Sequence, residues 1–248
     1  MPTETIEIQT GDGVADAYLS RPDGDGQHPG VLFVMDAIGL RPQIAGMAER
    51  IASQGYVVLA PNVLYRAGHA PVVPLPDFSD PDARGSFMGK LRPLMGQLTP
   101  EAVARDGEAY LDYLGGVAGE PVGITGYCMG ARLGVRIAAA HPDRVAAVAG
   151  FHGGGLVTDG PDSPHRDVGS LESEVYFGHA DNDQSNTPEQ IAALERSLDE
   201  AAVRHRSEVY EGALHGYTMA DMPAYNEAAA ERHFRELFAL LDRTLGVG

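Results

Sequence analysis

The residue with the clearest chemical potential is Cys128, the only cysteine among the 248 residues of the sequence. It lies in the segment GITGYCMGARLG, where Gly126 and Gly130 stand two positions before and after it. An apolar run typical of a buried strand precedes the cysteine, and a run with helical spacing follows it. A sharp strand-to-helix turn crowds the backbone on both sides of its central residue, and glycine fits at such positions. The pattern therefore predicts a nucleophilic thiol held at the end of a strand.

This placement would assist the reaction of the thiol with a carbonyl group in two ways. The partial positive charge at the N-terminus of the following helix favours the thiolate form. The backbone N–H of the next residue, Met129, would point toward a bound carbonyl oxygen and stabilise an oxyanion. The pattern alone is also compatible with a buried structural cysteine, so the assignment depends on partner residues.

A nucleophile of this kind needs a base. His215 lies in EGALHGY, directly after the last predicted strand, and is the best placed of the nine histidines. His152 and His179 also follow strands, and we predict that they line the pocket. Five others fall in loops or on helix faces and are predicted to be solvated: His28, His69, His141, His205 and His233.

The base in turn needs an acid that orients it. The segment YFGHADND supplies two, Asp181 and Asp183, at the end of the penultimate long strand. We predict that Asp181 has this role, because it lies three residues after Gly178, where the loop is expected to open. The order nucleophile, acid, base along the chain is that of the α/β-hydrolase fold.

The rest of the sequence predicts the elements that would position these residues. Apolar strands alternate with helical runs from about residue 30 onward, which is typical of a mostly parallel central sheet with helices on both faces. An Asp-Gly turn between two alternating stretches predicts an N-terminal β-hairpin. The proline-rich residues 66–98 interrupt this rhythm and predict an irregular excursion, either a lid or a plain loop. No linker divides the chain, so 1–248 is predicted to be a single α/β-hydrolase domain.

Composition narrows the possible partners. The formal net charge is −17, with 35 acidic and 18 basic residues, which disfavours nucleic acid and anionic membranes. A single cysteine excludes an internal disulfide and a Cys-rich zinc site, and no metal-binding or nucleotide-binding motif is present. No apolar run is long enough to span a bilayer, and the N-terminus does not resemble a signal peptide. We expect a cytoplasmic monomer or small homo-oligomer that acts on a small molecule without cofactor or metal.

With its Gly-x-Cys-x-Gly turn, Asp181 and His215, the sequence resembles the dienelactone hydrolase family over nearly its whole length. The segment VMDAIGLRPQIAGMAERIASQGYVVLAPNVLYR is similar to the part of the family that carries an acidic residue, an oxyanion turn and a helix. GALHGY is similar to its histidine segment. The resemblance implies a carboxylic ester hydrolase that cleaves an ester or a lactone, of the carboxymethylenebutenolidase type or a related carboxylesterase.

The resemblance also implies a role for each site residue. Cys128 would attack the carbonyl carbon and form an acyl-thioester. His215 would take up and return the proton while Asp181 holds the imidazole ring. The backbone N–H groups of Met129 and Ala37 would form the oxyanion hole.

Asp36 stands where the best-known members of the family carry a glutamate that helps to activate the resting thiol. The shorter side chain could serve the same purpose or act only as a turn residue. Two further hypotheses stay open at this point: a catalytically silent binding protein with the hydrolase fold, and a redox-sensing thiol. The latter would lack a resolving cysteine.

The substrate-binding residues depart from the family pattern. Met219 occupies the position, four residues after the histidine, where the family has an arginine that clamps a substrate carboxylate. A second such arginine would fall in the irregular segment, where Arg84 or Arg92 is the candidate. With Phe151 and Tyr217 also expected near the site, the sequence predicts a neutral or apolar acyl group.

Overall fold

The computed structural model describes residues 3–24, 26–77 and 79–246, and a mixed sheet forms the centre of this part of the chain. Its eight strands are β1 (Glu4–Thr10), β2 (Gly13–Ser20), β3 (Pro29–Val34), β4 (Val57–Pro61), β5 (Gly119–Tyr127), β6 (Val145–Phe151), β7 (Glu174–Ala180) and β8 (His205–Tyr210). They follow the order β1-β2-β4-β3-β5-β6-β7-β8. Only the pairs β1–β2 and β2–β4 are antiparallel. The predicted N-terminal hairpin and mostly parallel sheet are therefore confirmed.

Six α-helices accompany the sheet in the described residues: α1 (Pro42–Ala52), α2 (Pro81–Met95), α3 (Pro100–Gly115), α4 (Met129–Ala140), α5 (Pro188–Glu200) and α6 (Glu227–Leu245). Helices α1 and α6 are neighbours, joined by an Arg50–Glu231 ion pair. Helices α3 and α4 pack against each other and against strands of the sheet. The side chains of Thr99 and Thr187 cap α3 and α5, each followed by proline in the first turn. None of these helices is both long and apolar enough to cross a bilayer.

The prediction of an irregular excursion over 66–98 is wrong for its second half. Helix α2 begins after Asp80, whose side chain accepts hydrogen bonds from the N–H groups of the first turn. Phe87 and Leu91, one turn apart, are buried in the hydrophobic core. The sequence concealed this helix because Pro93 lies within it and the rest of its surface is polar. A lid function for the segment stays a prediction.

Burial of His233 contradicts its predicted exposure on a helix face. The side chain is 0% exposed, its Nδ1 donates to the carbonyl oxygen of Ala230, and its Nε2 accepts from the hydroxyl of Tyr127. Burial lowers the pKa of His233 to about 3, so the ring is neutral at physiological pH. Because Tyr127 directly precedes Cys128, this contact fixes the end of strand β5.

Candidate active site

Cys128 occupies the turn between strand β5 and helix α4. Its backbone has φ 53° and ψ −115°, a conformation that costs energy for any residue with a side chain. Three hydrogen bonds hold the turn: its N–H donates to the carbonyl oxygen of Phe151, and its own carbonyl accepts from the N–H groups of Ala131 and Gly154. The thiol is free and partly exposed. The fold thus presents a strained, accessible thiol at the end of a central strand.

The glycines on either side of Cys128 are required by close backbone packing. A Cβ atom on Gly126 would overlap the carbonyl of Gly130, and one on Gly130 would overlap the carbonyl of Val34. The first turn of α4 therefore lies directly against the C-terminal end of β3. This contact brings the backbone of Met129 toward the turn that follows β3 and contains Ala37.

Gly130→Ala is expected to destabilise the protein by about 3 kcal/mol, because the added methyl group meets backbone atoms that cannot rotate away. Thermal unfolding followed by circular dichroism measures the effect. Gly46→Ala is the matched control, since a Cβ atom there meets nothing within 4 Å and alanine favours the helix. Equal unfolding temperatures for the two variants would contradict the steric account of the turn.

The two N–H groups predicted to form the oxyanion hole are available to a ligand. As the first residue of α4, Met129 has no acceptor for its N–H within the helix. Ala37 lies outside the helices and strands, and its N–H donates no hydrogen bond within the described residues. Both groups could therefore bind an oxyanion without breaking an existing bond.

The carboxylate that orients His215 is that of Asp183. Its Oδ2 accepts a 2.6 Å hydrogen bond from Nδ1 of the histidine, and the side chain is almost fully buried. Asp181 instead accepts a hydrogen bond from the N–H of Gly212, at 2.9 Å from its Oδ2. The prediction that Asp181 holds the imidazole ring is therefore wrong.

The error has a local cause in the way strand β7 ends. The strand extends to Ala180, two residues beyond the glycine at which the loop was expected to open. The N–H of Asp181 bonds to the carbonyl of Ala213 and keeps this residue on the β8 side. The chain turns only at Asn182, which has φ 52°. Asp183 is therefore the first acid after the turn that can face His215.

Ser185 supports the orienting carboxylate and was not singled out from the sequence. Its N–H and its hydroxyl both donate to Oδ1 of Asp183, at 2.8 and 2.7 Å, which leaves Oδ2 for His215. An aspartate followed two residues later by serine is a common signature of such a side-chain turn. That signature could have favoured Asp183 over Asp181 at the sequence level.

Electrostatics favour a charged histidine beside the thiol. Burial alone would lower the pKa of His215, but hydrogen bonds with Asp183 and Cys128 outweigh it and raise the pKa to about 10. Burial would raise the pKa of Asp183, yet its bonds to His215 and Ser185 lower it overall. The carboxylate of Asp183 is therefore ionised and stabilises a positive charge on the ring of His215.

The other two histidines expected in the pocket are buried behind it. His152 is 0% exposed, its ring lies edge-on to His215 with centroids 5.3 Å apart, and its Nε2 contacts the hydroxyl of Thr218. Burial and the charge of His215 hold its pKa well below the usual range. His179 contacts Ser207 and Asn186, and burial lowers its pKa to about 4. Neither ring presents a surface to a ligand.

Asp36 is engaged by an arginine that the sequence did not single out. Nη1 and Nη2 of Arg41 donate to its two carboxylate oxygens at 2.8 and 2.9 Å, and the N–H of Ile38 donates to Oδ1. Arg41 also bonds to Asp221, in the loop that follows His215. Asp36 thus acts as a turn residue in an ion pair, and Arg41 links the turn that contains Ala37 to the histidine loop.

The predicted substrate-binding residues do not form a binding surface together. Phe151, Tyr217 and Met219 are at most 1% exposed, so the prediction that they line the pocket is wrong. Phe151 stacks within the aromatic core, and the hydroxyl of Tyr217 donates to the carbonyl of Gly178. Their positions beside strand ends suggested the pocket, but the core covers them. Arg84 is exposed on helix α2.

Asp183, His215 and Cys128 together supply an acid, a base and a nucleophile. In the described part of the chain, no three His, Cys, Asp or Glu side chains are grouped closely enough to hold a metal ion. Asp183 and His215 bind each other, and Cys128 is close enough to the ring of His215 to raise its pKa. This chain of contacts can move a proton away from the thiol and back to a leaving group.

Comparison with known proteins identifies related sequences over nearly the entire chain. Residues 15–245 match the sequence profile of the dienelactone hydrolase family. A Synechocystis protein provisionally named carboxymethylenebutenolidase is 30% identical over 239 residues, covering 93% of this chain and 90% of that protein. A Rhodococcus opacus carboxymethylenebutenolidase is 26% identical, with coverage of 93% and 87%. The crystal structure of a provisionally assigned Klebsiella pneumoniae dienelactone hydrolase superposes with a TM-score of 0.82 at 20% identity, covering 97% and 98% of the two chains.

Proposed function

Because the chain belongs to the dienelactone hydrolase family, we propose that it hydrolyses a carboxylic ester or lactone through a Cys128–His215–Asp183 triad and an acyl-thioester. The observation that carries the proposal is the line of contacts from Asp183 through the ring of His215 to the strained thiol. The names of its curated relatives in Synechocystis and Rhodococcus support a lactone or an ester as the substrate.

Acylation begins from the state in which the thiol proton of Cys128 has passed to Nε2 of His215, since Nδ1 is bonded to Asp183. The thiolate attacks the carbonyl carbon, and the carbonyl oxygen becomes an oxyanion held by the N–H groups of Met129 and Ala37. When the tetrahedral intermediate collapses, the bond to the alkoxide oxygen breaks and His215 donates its proton to that oxygen. In a lactone, the alcohol released stays attached to the acyl chain.

Deacylation repeats these steps with water as the nucleophile. His215, now neutral, takes a proton from water as the water oxygen attacks the thioester carbonyl. The second tetrahedral intermediate expels the Cys128 thiolate and leaves the carboxylic acid product. Asp183 remains ionised throughout, stabilising the imidazolium each time it forms.

Wild-type protein is expected to release p-nitrophenol from p-nitrophenyl acetate and to open one or more members of a panel of small lactones. Intact mass spectrometry after a rapid acid quench should detect an acetylated protein, with the acetyl group on Cys128 and removable by hydroxylamine, because the proposed intermediate is a thioester. Cys128→Ala is the control and should carry no such group.

Hydrolysis no faster than that of Cys128→Ala would contradict this proposal. If the wild-type thiol were then still alkylated quickly by iodoacetamide, a catalytically silent binding protein or a thiol sensor would be the better interpretation.

A further inference from the structure

Arg41 uses every donor of its guanidinium group on two loops of the candidate active site. Nη1 and Nη2 hold the carboxylate of Asp36, while Nε and Nη2 hold that of Asp221 at 2.6 and 3.3 Å. The remaining N–H of Nη1 donates to the carbonyl oxygen of Gly39 at 3.0 Å. An arginine has five N–H donors in a rigid plane, and these bonds account for all of them. The side chain therefore bridges the two loops in one fixed geometry.

The bridge is shielded from water at its centre. The side chain of Arg41 is 1% exposed and that of Asp36 is 6% exposed, whereas that of Asp221 is 35% exposed. Burial would lower the pKa of Arg41, but the two carboxylates raise it overall, so the guanidinium stays charged. Charged pairs in such surroundings are screened little by salt. The contact is therefore a lasting part of the structure, unlike an exposed ion pair on the surface.

Each end of this bridge lies next to a group that takes part in the proposed reaction. Asp36 directly precedes Ala37, whose N–H is proposed to bind the oxyanion. Asp221 follows His215 by six residues, and backbone hydrogen bonds fold 214–222 into consecutive turns that connect the two. The position of the oxyanion donor relative to the base thus depends on the guanidinium between them.

We propose that Arg41 is a positioning residue that fixes the N–H of Ala37 relative to the thiol, with Asp221 as its anchor. This inference rests on the proposed function. The base and the nucleophile are held by other contacts, through the carboxylate of Asp183 and through the turn of Cys128. The bridge adds the placement of the oxyanion donor, which has to meet the carbonyl oxygen as the thiolate attacks.

Asp221→Ala breaks the bridge on its exposed side and leaves Asp36 paired. Substitution of Arg41 itself would leave that buried carboxylate without a counter-charge, so the anchor is the better target. In Asp221→Ala, kcat for p-nitrophenyl acetate should fall about 10- to 100-fold while KM stays within about threefold of wild type, because an oxyanion donor acts in the transition state. Asp221→Asn keeps an acceptor oxygen for the arginine and should lose less.

Alkylation of Cys128 by iodoacetamide separates this role from a general loss of structure. The reagent reacts with the thiolate without forming an oxyanion, so its rate in Asp221→Ala should stay within about twofold of wild type. Asp112→Ala is the matched control, because Asp112 shares Arg144 with Glu120 on the surface, and both rates should match wild type. Equal falls in hydrolysis and alkylation would overturn the inference, since the bridge would then support the thiol or the base. Unchanged hydrolysis would overturn it as well.

Amide hydrogen exchange, followed by mass spectrometry, tests the bridge without turnover. Peptides that cover 36–41 should exchange faster in Asp221→Ala than in wild type, because the turn has lost its bond to the histidine loop. If wild type hydrolysed no ester, the proposed function would fail, and the exchange would still decide whether Arg41 holds this turn in place. Equal exchange in the two proteins would contradict the inference, even if hydrolysis had fallen.

Discussion

Cys128→Ala, His215→Ala and the double variant are each expected to lower kcat for p-nitrophenyl acetate by about 10⁴- to 10⁶-fold. The two side chains perform one operation, since the thiolate forms only as the imidazole takes up its proton. Removing either partner therefore removes nearly all the benefit of both. Steady-state rates corrected for the spontaneous hydrolysis of the ester measure the three losses.

His69→Ala is the matched control for the histidine substitution, because His69 is largely exposed and its ring lies 3.7 Å from Asp16 rather than near the thiol. Its kcat should stay within about twofold of wild type. If the losses of the two single variants multiplied in the double variant, Cys128 and His215 would act independently, and the proposed proton transfer between them would be wrong.

The sequence predicted the strand-to-helix turn at Cys128 well because the signal for that turn is steric and local. The glycines at 126 and 130 are needed wherever a backbone turns this tightly, and the carbonyls of Gly130 and Val34 do occupy the space that their side chains would need. The mostly parallel sheet was predicted from the alternation of apolar and helical runs for a similar reason. Both patterns depend on residues that lie close together in the chain.

The choice between Asp181 and Asp183 depended on information of a different kind. Both are turn aspartates near the end of β7, and their spacing along the chain does not show which faces the site. The bond from the N–H of Asp181 to the carbonyl of Ala213 keeps Asp181 away from His215. The positive φ of Asn182 then turns the chain so that Asp183 faces the ring. Such details arise from the packing of β7 against β8, and the Asp-x-Ser pattern of Asp183 and Ser185 is the local hint of them in the sequence.

Arg41 was missed because its role depends on a distant partner. Arg41 bonds to Asp221, 180 residues further along the chain. In the sequence, it is an arginine near a predicted helix with nothing to set it apart.

Asp183→Asn is expected to lower kcat/KM by about 10³- to 10⁴-fold, whereas Asp181→Asn should lower it less than about tenfold. An asparagine at 183 keeps the shape but removes the charge that stabilises the imidazolium, and it can favour the wrong tautomer of His215. An asparagine at 181 can still accept the hydrogen bond from Gly212 through its side-chain oxygen. The same ester assay measures both variants.

The pKa of His215 tests the same prediction without a measurement of turnover. The hydrogen bond to Asp183 stabilises the charged ring, so the raised pKa keeps the imidazolium present until the pH rises through about 10. Without that carboxylate the pKa falls, and the ring loses its proton at a lower pH. NMR titration of the ring Hε1 proton, assigned by its absence in His215→Ala, should show this downward shift in Asp183→Asn and little shift in Asp181→Asn. A shift of equal size in both variants would mean that Asp181 acts on the ring as well, and that the 2.6 Å contact with Asp183 is not what holds the proton on His215.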